Sequence, residues 1–283
     1  MKELINQFLE YLEKKELNPQ TVRNYDFYLR RFFKWFDRQK IKNMAELNEK
    51  DVKRYKTWLK RIKNPVKKIY LSEQTQLYHL IALRAFLRFL EKSRIKALNY
   101  KKVKLFENNN KNIEFLLKSE IQRLLDSPTK VKQDKILTAR DKALLELISQ
   151  TGLKVSQIAL LKIKDVDLKQ KKLKLKNKVV DLDNQTSYWL KKYIKTRKNN
   201  SEPLFIRHDR AAGTEKFSPL SPRSMERIVL RYGRAAGLEK RITPRILRNS
   251  YLISFVKNSN VSKFKKHFDY KSNTTFQRYK NLH

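Results

Sequence analysis

The run Ile242-Thr-Pro-Arg245-Ile-Leu-Arg248-Asn-Ser250, followed by Phe268-Asp-Tyr270-Lys-Ser-Asn-Thr274-Thr275-Phe-Gln-Arg-Tyr279, is the part of this chain whose reading decides the fold. It places two arginines on one short stretch and ends on a tyrosine embedded in basic residues, almost at the close of the sequence. Working outward, the whole chain shares that charge. Its 283 residues hold 67 Lys+Arg against 28 Asp+Glu, a formal net charge of +39. A surplus that large repels itself in the compact state and calls for a polyanionic partner. Nucleic acid is the first candidate, because its phosphates reward each Lys or Arg through counterion release. A codon bias toward Lys, Asn and Ile is the competing source of the lysine excess; it does not account for the numerous arginines.

The length suffices for two domains with two modest cores. A hydrophobic share of 40% with 11% aromatics suits a folded protein. Cysteine is absent, which excludes disulfides, thiol catalysis and Cys-ligated metals. The histidines are His79, His208, His267 and His283, and no pair has the spacing of a zinc-binding helix. Neither a metal nor a cofactor is expected. The glycines are Gly152, Gly213, Gly233 and Gly237, so Gly-rich phosphate loops are excluded. No apolar run reaches membrane-spanning length and no signal-peptide core opens the chain. The expected location is the cytoplasm, in association with the nucleoid.

The glycine-free N-terminal region reads as helices. Leu4, Ile5, Phe8, Leu9, Tyr11 and Leu12 follow helical spacing. Asn18-Pro19 breaks the chain, and Thr21 caps a helix predicted to run to Gln39. In it Tyr25, Tyr28, Leu29, Phe32, Phe33 and Phe36 form an apolar stripe, with Arg23, Arg30, Arg31, Lys34 and Arg38 around it. A third helix is predicted from Glu49 to Lys63 and a fourth from Ser72 to Lys92, carrying Arg84 and Arg88. The aromatic stripes are expected to be core rather than base-stacking platforms. The basic faces, through Arg23, Arg30, Arg31, Lys34, Arg84 and Arg88, are expected to meet DNA; ordinary solvated surface is the other reading. The Lys/Asn-rich stretch 99–112 reads as an interdomain linker. Beyond it, Ser119 is the expected N-cap of a helix. Another helix is predicted from Thr138 to Gln150, ending at Thr151-Gly152, and a short one begins at Lys154-Val-Ser156. A small hairpin fits Leu173–Leu182, and helices fit Asn184–Arg197 and Ser221–Gly233. The predicted fold is mainly α with a small β-sheet. Its domains are 1–98, a linker at 99–112, and 113–283.

These residues resemble the tyrosine recombinases of the phage-integrase and Xer type over nearly the full chain. Leu17-Asn-Pro-Gln-Thr21-Val-Arg-Asn-Tyr25 with Leu29-Arg-Arg-Phe-Phe, and Ser72-Glu-Gln-Thr75 with Ile81-Ala-Leu-Arg84-Ala-Phe86-Leu-Arg-Phe-Leu90, resemble the helical core-binding domain. Thr151-Gly-Leu-Lys154-Val-Ser156 resembles the box around the family's first catalytic arginine. Ile242-Thr-Pro-Arg245-Ile-Leu-Arg248 resembles the His-x-x-Arg box, and Phe268-Asp-Tyr270, Thr274-Thr275 and Tyr279 resemble the Leu-Gly-His, Thr-Thr and Tyr elements. The resemblance implies a two-domain, C-shaped clamp on duplex DNA. It also implies a tyrosine that attacks a phosphodiester to form a 3′-phosphotyrosyl intermediate, without metal or nucleotide.

Attack on phosphate builds negative charge on the non-bridging oxygens, so fixed cationic donors must face them. Arginine suits this because its planar fork forms paired bonds and stays charged. A lysine can protonate the departing 5′-oxygen, and a base near the tyrosine helps remove a proton whose ordinary pKa is about 10. By resemblance Tyr279 is the nucleophile and Arg248 the second arginine. The other positions depart from the family. Lys154 stands for the first arginine and loses the fork. Arg245 stands for the box histidine and cannot act as acid or base near neutral pH. Tyr270 stands for a later His or Trp. The catalytic lysine normally sits in a Gly-Lys-Gly turn; here Leu173-Lys-Leu-Lys176-Asn-Lys178 lacks glycine, and Lys176 and Lys178 are both candidates. The sequence stops shortly after Tyr279, which sets the expectation that any homo-oligomer on DNA is not the usual cyclic tetramer. The leading reading is a duplex-DNA-binding member of the family with an eroded catalytic set and weak or absent strand cleavage. An active, divergent recombinase using Tyr279, Arg248, Arg245 and Lys154 is the alternative, and a basic structural or RNA-associated protein is a third.

Overall fold

A computed structural model describes residues 2–39, 41–63, 68–106, 113–176, 178–197, 199, 201–208, 217–270 and 272–282. The chain divides into two compact units, Met1–Lys111 and Asn112–His283.

The first unit is helical: α1 (Lys2–Lys14), α2 (Pro19–Phe36), α3 (Glu49–Arg61) and α4 (Glu73–Lys92). Asn18 caps α2, its side chain accepting from the Gln20 amide at 2.9 Å, with Pro19 pre-set for the first turn. The helix ends at Phe36, short of the predicted Gln39, because its last backbone bonds tighten into a turn over 37–39. Asn48 opens α3 with a reciprocal capping box to Asp51. The aromatic stripes are core: Phe8, Phe32, Phe36, Tyr55 and Phe86 are fully buried in one cluster. Each such side chain contributes roughly 2 kcal/mol of hydrophobic stabilisation.

The stretch read as linker is not all connector. Tyr100–Lys102 forms a 3₁₀ turn and Val103 is completely buried in the core of the first unit. Lys102 pairs with Glu49 at 2.8 Å, and Lys56 Nζ donates to the Lys104 carbonyl at 2.5 Å. Sequence polarity hid this, because one buried valine among lysines carries no periodic signal. The remainder, 107–112, lies outside the described residues.

The second unit contains α5 (Lys118–Lys130), α6 (Lys135–Thr151), α7 (Val155–Ile158), β1 (Val166–Asp167), β2 (Lys172–Leu175), β3 (Lys178–Asp181), α8 (Asn184–Thr196), α9 (Pro222–Ala235), α10 (Pro244–Lys257), α11 (Val261–Phe268) and α12 (Thr274–Lys280). Ser119 is not the cap of α5. The cap position is Leu117, two residues earlier, and the Glu120 carboxylate closes the first turn by accepting from the Leu117 amide at 2.8 Å. The strands form an antiparallel sheet in the order β1-β2-β3, with Leu173 opposite both Val166 and Val180. Leu173 and Val180 turn into the core while Lys174 and Val179, their neighbours on the opposite face, turn out.

α6 organises this unit. Along it Ala143, Leu144, Leu147 and Ile148 are fully buried. Asp141 on the same helix pairs with Arg140 at 2.8 Å and accepts from the Tyr232 hydroxyl of α9 at 2.9 Å. The helix ends at Gly152 in the left-handed region, φ 61°, where a Cβ would stand 2.5 Å from a ring carbon of Tyr251 on α10. Only glycine allows both the turn and this approach. A separate cluster of Leu252, Val256, Phe264, Phe276 and Tyr279 seats α11 and α12 on α10.

Candidate active site

A cleft of about 740 Å³ in the second unit is lined by Lys154, Arg245, Arg248, Tyr270 and Tyr279, together with Asn249. The local sequence explains how each reaches it. Lys154 follows the left-handed Gly152 turn and sits at the start of α7, its amide donating to Gln157 Oε1 at 3.0 Å and its side chain exposed. Thr243 caps α10, accepting from the Ile246 amide at 3.3 Å, and Pro244 fills the first helical position. One helical turn then carries Arg245 and Arg248 to the same wall. Arg245 is exposed and Arg248 half-buried. Arg248 Nη2 donates to the Tyr270 hydroxyl at 3.2 Å. Its Nε is buried and has no hydrogen-bond partner among the described residues.

Tyr270 leaves α11 through Asp269, a non-glycine residue in the left-handed region at φ 55°. Its ring stacks on Phe264 at 5.4 Å between centroids. Tyr279 lies on α12, 9% exposed, and its hydroxyl donates to Asn249 Oδ1 at 2.7 Å. Burial pushes the Tyr279 phenol above its ordinary pKa, and Tyr270 adds to this; Arg248, Arg245 and Arg278 pull the other way.

The two hairpin lysines part company. Lys176 is exposed on the turn between β2 and β3. Lys178 shares a face of β3 with the buried Val180, is half-buried, and its Nζ donates to the His267 carbonyl; neither lysine is part of the cleft lining. Burial lowers its pKa below the ordinary lysine value; Asp269 opposes that shift and Arg248 reinforces it.

In the first unit the six basic residues read from sequence also differ. Arg23 and Lys34 are exposed on α2. Arg30 is exposed but paired with Asp26 at 2.7 Å. Arg31 lies over the Phe27 ring at 4.8 Å, with Nη1 3.2 Å from His79 Nε2. Arg84 and Arg88 lie 5.7 and 5.6 Å from the ring centroid of Tyr100. Sequence reasoning missed Asn249, although it directly follows Arg248. It also missed Arg223, Arg227 and Arg241, which line the cleft; the four-residue step from Arg223 to Arg227 on α9 was the available signal. Among the described residues there is no group of three or more His, Asp or Glu able to hold a metal ion.

Comparison with known proteins decides the lineage. The model of the phage integrase family matches residues 114–283, and that of the phage integrase N-terminal SAM-like domain matches residues 5–94. The chain belongs to the phage integrase family of tyrosine recombinases. Among relatives of this family, tyrosine recombinase XerC of Halalkalibacterium halodurans is 26% identical, the match covering 90% of this chain and 84% of the relative. Tyrosine recombinase XerA of Thermococcus onnurineus is 26% identical over 90% of this chain and 82% of its own. Two solved tyrosine recombinases share the fold. XerH bound to a palindromic difH substrate, a post-cleavage complex, superimposes with a TM-score of 0.71 at 21% identity, covering 97% of this chain and 80% of that one. A lambda integrase dimer bound to a COC′ core site gives 0.69 at 14% identity, covering 99% and 76%. Among the described residues no helix is long and apolar enough to cross a membrane.

Proposed function

We propose that this tyrosine recombinase homologue binds duplex DNA and holds a backbone phosphate in the cleft, with strand cleavage much slowed. The charge of +39 and the cationic cleft support the DNA partner. Arg248 offers the planar fork, and its buried Nε, unpartnered among the described residues, is the kind of donor that a phosphate oxygen would satisfy. Arg245 and Lys154 add charge to the same pocket, and Arg223, Arg227 and Arg241 extend it along the wall.

One observation carries the reading of slowed chemistry. The Tyr279 hydroxyl gives its hydrogen bond to an amide oxygen, which has no basicity near neutral pH. In this reading the Tyr279 phenol gives its proton to solvent water as its oxygen attacks phosphorus, the bond from phosphorus to the 5′-oxygen breaks, and that oxygen takes a proton from Lys178. The lowered pKa of Lys178 favours the proton transfer. What is weak is the other end: among the described residues no histidine lines the cleft, and a lysine at position 154 lacks the paired bonds of an arginine. Loss of one such donor costs about 10²–10³ in rate by comparison with other oxyanion sites.

The second reading is an active, divergent recombinase. It is favoured by the convergence of Lys154, Arg245, Arg248 and Tyr279 on one cleft. Incubation with a duplex carrying the protein's own site, selected by binding from a random duplex pool, separates the two. Native gels are expected to show a salt-sensitive shift that single strands and RNA of the same sequence do not compete. Denaturing gels are expected to show little covalent adduct. A strong Tyr279-dependent adduct supports the second reading, and equal competition by RNA contradicts both.

A further inference from the structure

Asn249 is buried, 6% exposed, at the point where α10, α12 and the leading segment of the second unit meet. Both ends of its amide are used. Oδ1 accepts from the Tyr279 hydroxyl at 2.7 Å, and Nδ2 donates to the Glu114 carbonyl at 2.9 Å. The neighbouring Ser250 Oγ accepts from the Leu116 amide at 2.8 Å, so residues 114–116 are stitched to α10 on both sides of that contact. The Glu114 bond fixes the orientation of the amide: turned over, it would set its oxygen against a carbonyl oxygen, two acceptors face to face. With Oδ1 so directed, the Tyr279 hydroxyl is obliged to donate, and its lone pairs are left for the cleft.

We propose that Asn249 is a positioning residue for Tyr279, fixing the hydroxyl as a neutral donor at the cleft wall and anchoring that geometry to the Glu114 backbone; this rests on the reading of Tyr279 as the attacking group. The ionisable groups facing the hydroxyl are Arg248 and Arg245 from α10, Tyr270 from the segment after α11, and Arg278 from α12. The arginines favour the phenolate, whereas burial, Tyr270 and a hydrogen bond given to a neutral acceptor favour the phenol. Asn249 therefore sets where the hydroxyl sits and helps hold its proton until another group takes it.

The test uses the full chain with 3-fluorotyrosine at position 279, its ionisation followed by ¹⁹F NMR in the wild-type background and in Asn249→Ala and Asn249→Asp. The alanine variant removes the acceptor, so its titration midpoint is expected to fall below that of the wild type. The aspartate variant keeps the side-chain length, loses the Glu114 bond, and is ionised at the high pH where a phenol titrates, so it offers Tyr279 a charged acceptor and its midpoint is expected to rise above the wild type. A purely structural role would move both variants the same way. Equal direction in the two, or an aspartate midpoint that stays put or falls, overturns the proposal. The aspartate comparison alone decides the matter should the alanine variant fail to fold. A covalent adduct that survives Tyr279→Phe would remove the attacking role of Tyr279, while the ¹⁹F titrations still decide whether Asn249 positions the hydroxyl.

Discussion

The hydroxyl of Tyr279 and the amide oxygen of Asn249 lie 2.7 Å apart in a buried hydrogen bond. Removing one partner leaves the other unsatisfied away from water. Tyr279→Phe is therefore expected to lose about 1–3 kcal/mol of stability in urea titrations. The Tyr279→Phe, Asn249→Ala double variant is expected to lose less than the sum of the two single changes, because the bond can be lost only once. Strict additivity would mean that the contact contributes nothing.

Lys178 and Lys176 sit on one hairpin, but only Lys178 is half-buried and close enough to Arg248 to feel its charge. In a Lys154→Arg, Arg245→His background, where adduct formation is expected to be measurable, Lys178→Ala should slow it by at least about 10². A substrate whose bridging 5′-oxygen is replaced by sulfur, a leaving group that needs no proton, should restore the rate. Lys176→Ala should change neither. Because the acid must be protonated, the rate should fall as pH rises through the lowered pKa of Lys178.

His79 gives a pH dependence of stability in the first unit. It is 1% exposed, flanked by Arg31 and Tyr55, and burial with help from Arg31 pushes its pKa down to about 4, from an ordinary 6.5. The unfolded chain takes up a proton that the folded one refuses. The contribution of the neutral ring is thus complete above about pH 6.5 and is lost progressively as pH falls toward about 4, amounting to ~3 kcal/mol. His79→Gln should flatten the fall in urea midpoint between pH 7 and pH 4.5 relative to wild type. An identical fall in both proteins would contradict the assignment.

The cationic surfaces are expected to make separable contributions to DNA affinity. Arg23→Ala and Lys34→Ala on α2, and Arg223→Ala and Arg227→Ala at the cleft, should each reduce the salt slope of duplex binding by about 0.9 without altering the fold. Arg30→Ala should do less, because its guanidinium is already shared with Asp26. Fluorescence anisotropy across a salt series measures all five.

Much of the fold was legible because long helices announce themselves. The spacing of Leu29, Phe32, Phe33 and Phe36 has one physical solution, a stripe packed into a core, and all four are buried. Helix ends were less legible. Ser119 looks like a cap, yet the cap position falls two residues earlier, at Leu117, where Glu120 reaches back to close the turn, a choice made by side-chain geometry rather than residue type. β1, only two residues long, exists by pairing with β2 and has no pattern of its own. At the cleft, the residues in recognisable boxes could be named in advance. Asn249 could not, because its two partners, Tyr279 and Glu114, are far away in sequence and meet it only in the folded chain. Arg223 and Arg227 were overlooked for the same reason, since a basic helix stripe reads alike whether it faces solvent or a cleft.

The most direct measurement of the central claim is the rate of covalent capture on a nicked suicide duplex carrying the site that the protein selects from a random duplex pool, at saturating protein and neutral pH. Wild type is expected to bind the duplex fully and to form adduct only slowly. Lys154→Arg with Arg245→His is expected to form it about 10² faster, and addition of Tyr279→Phe to abolish it. Rapid capture by the wild-type protein, with the double variant no faster, would contradict the claim of slowed cleavage.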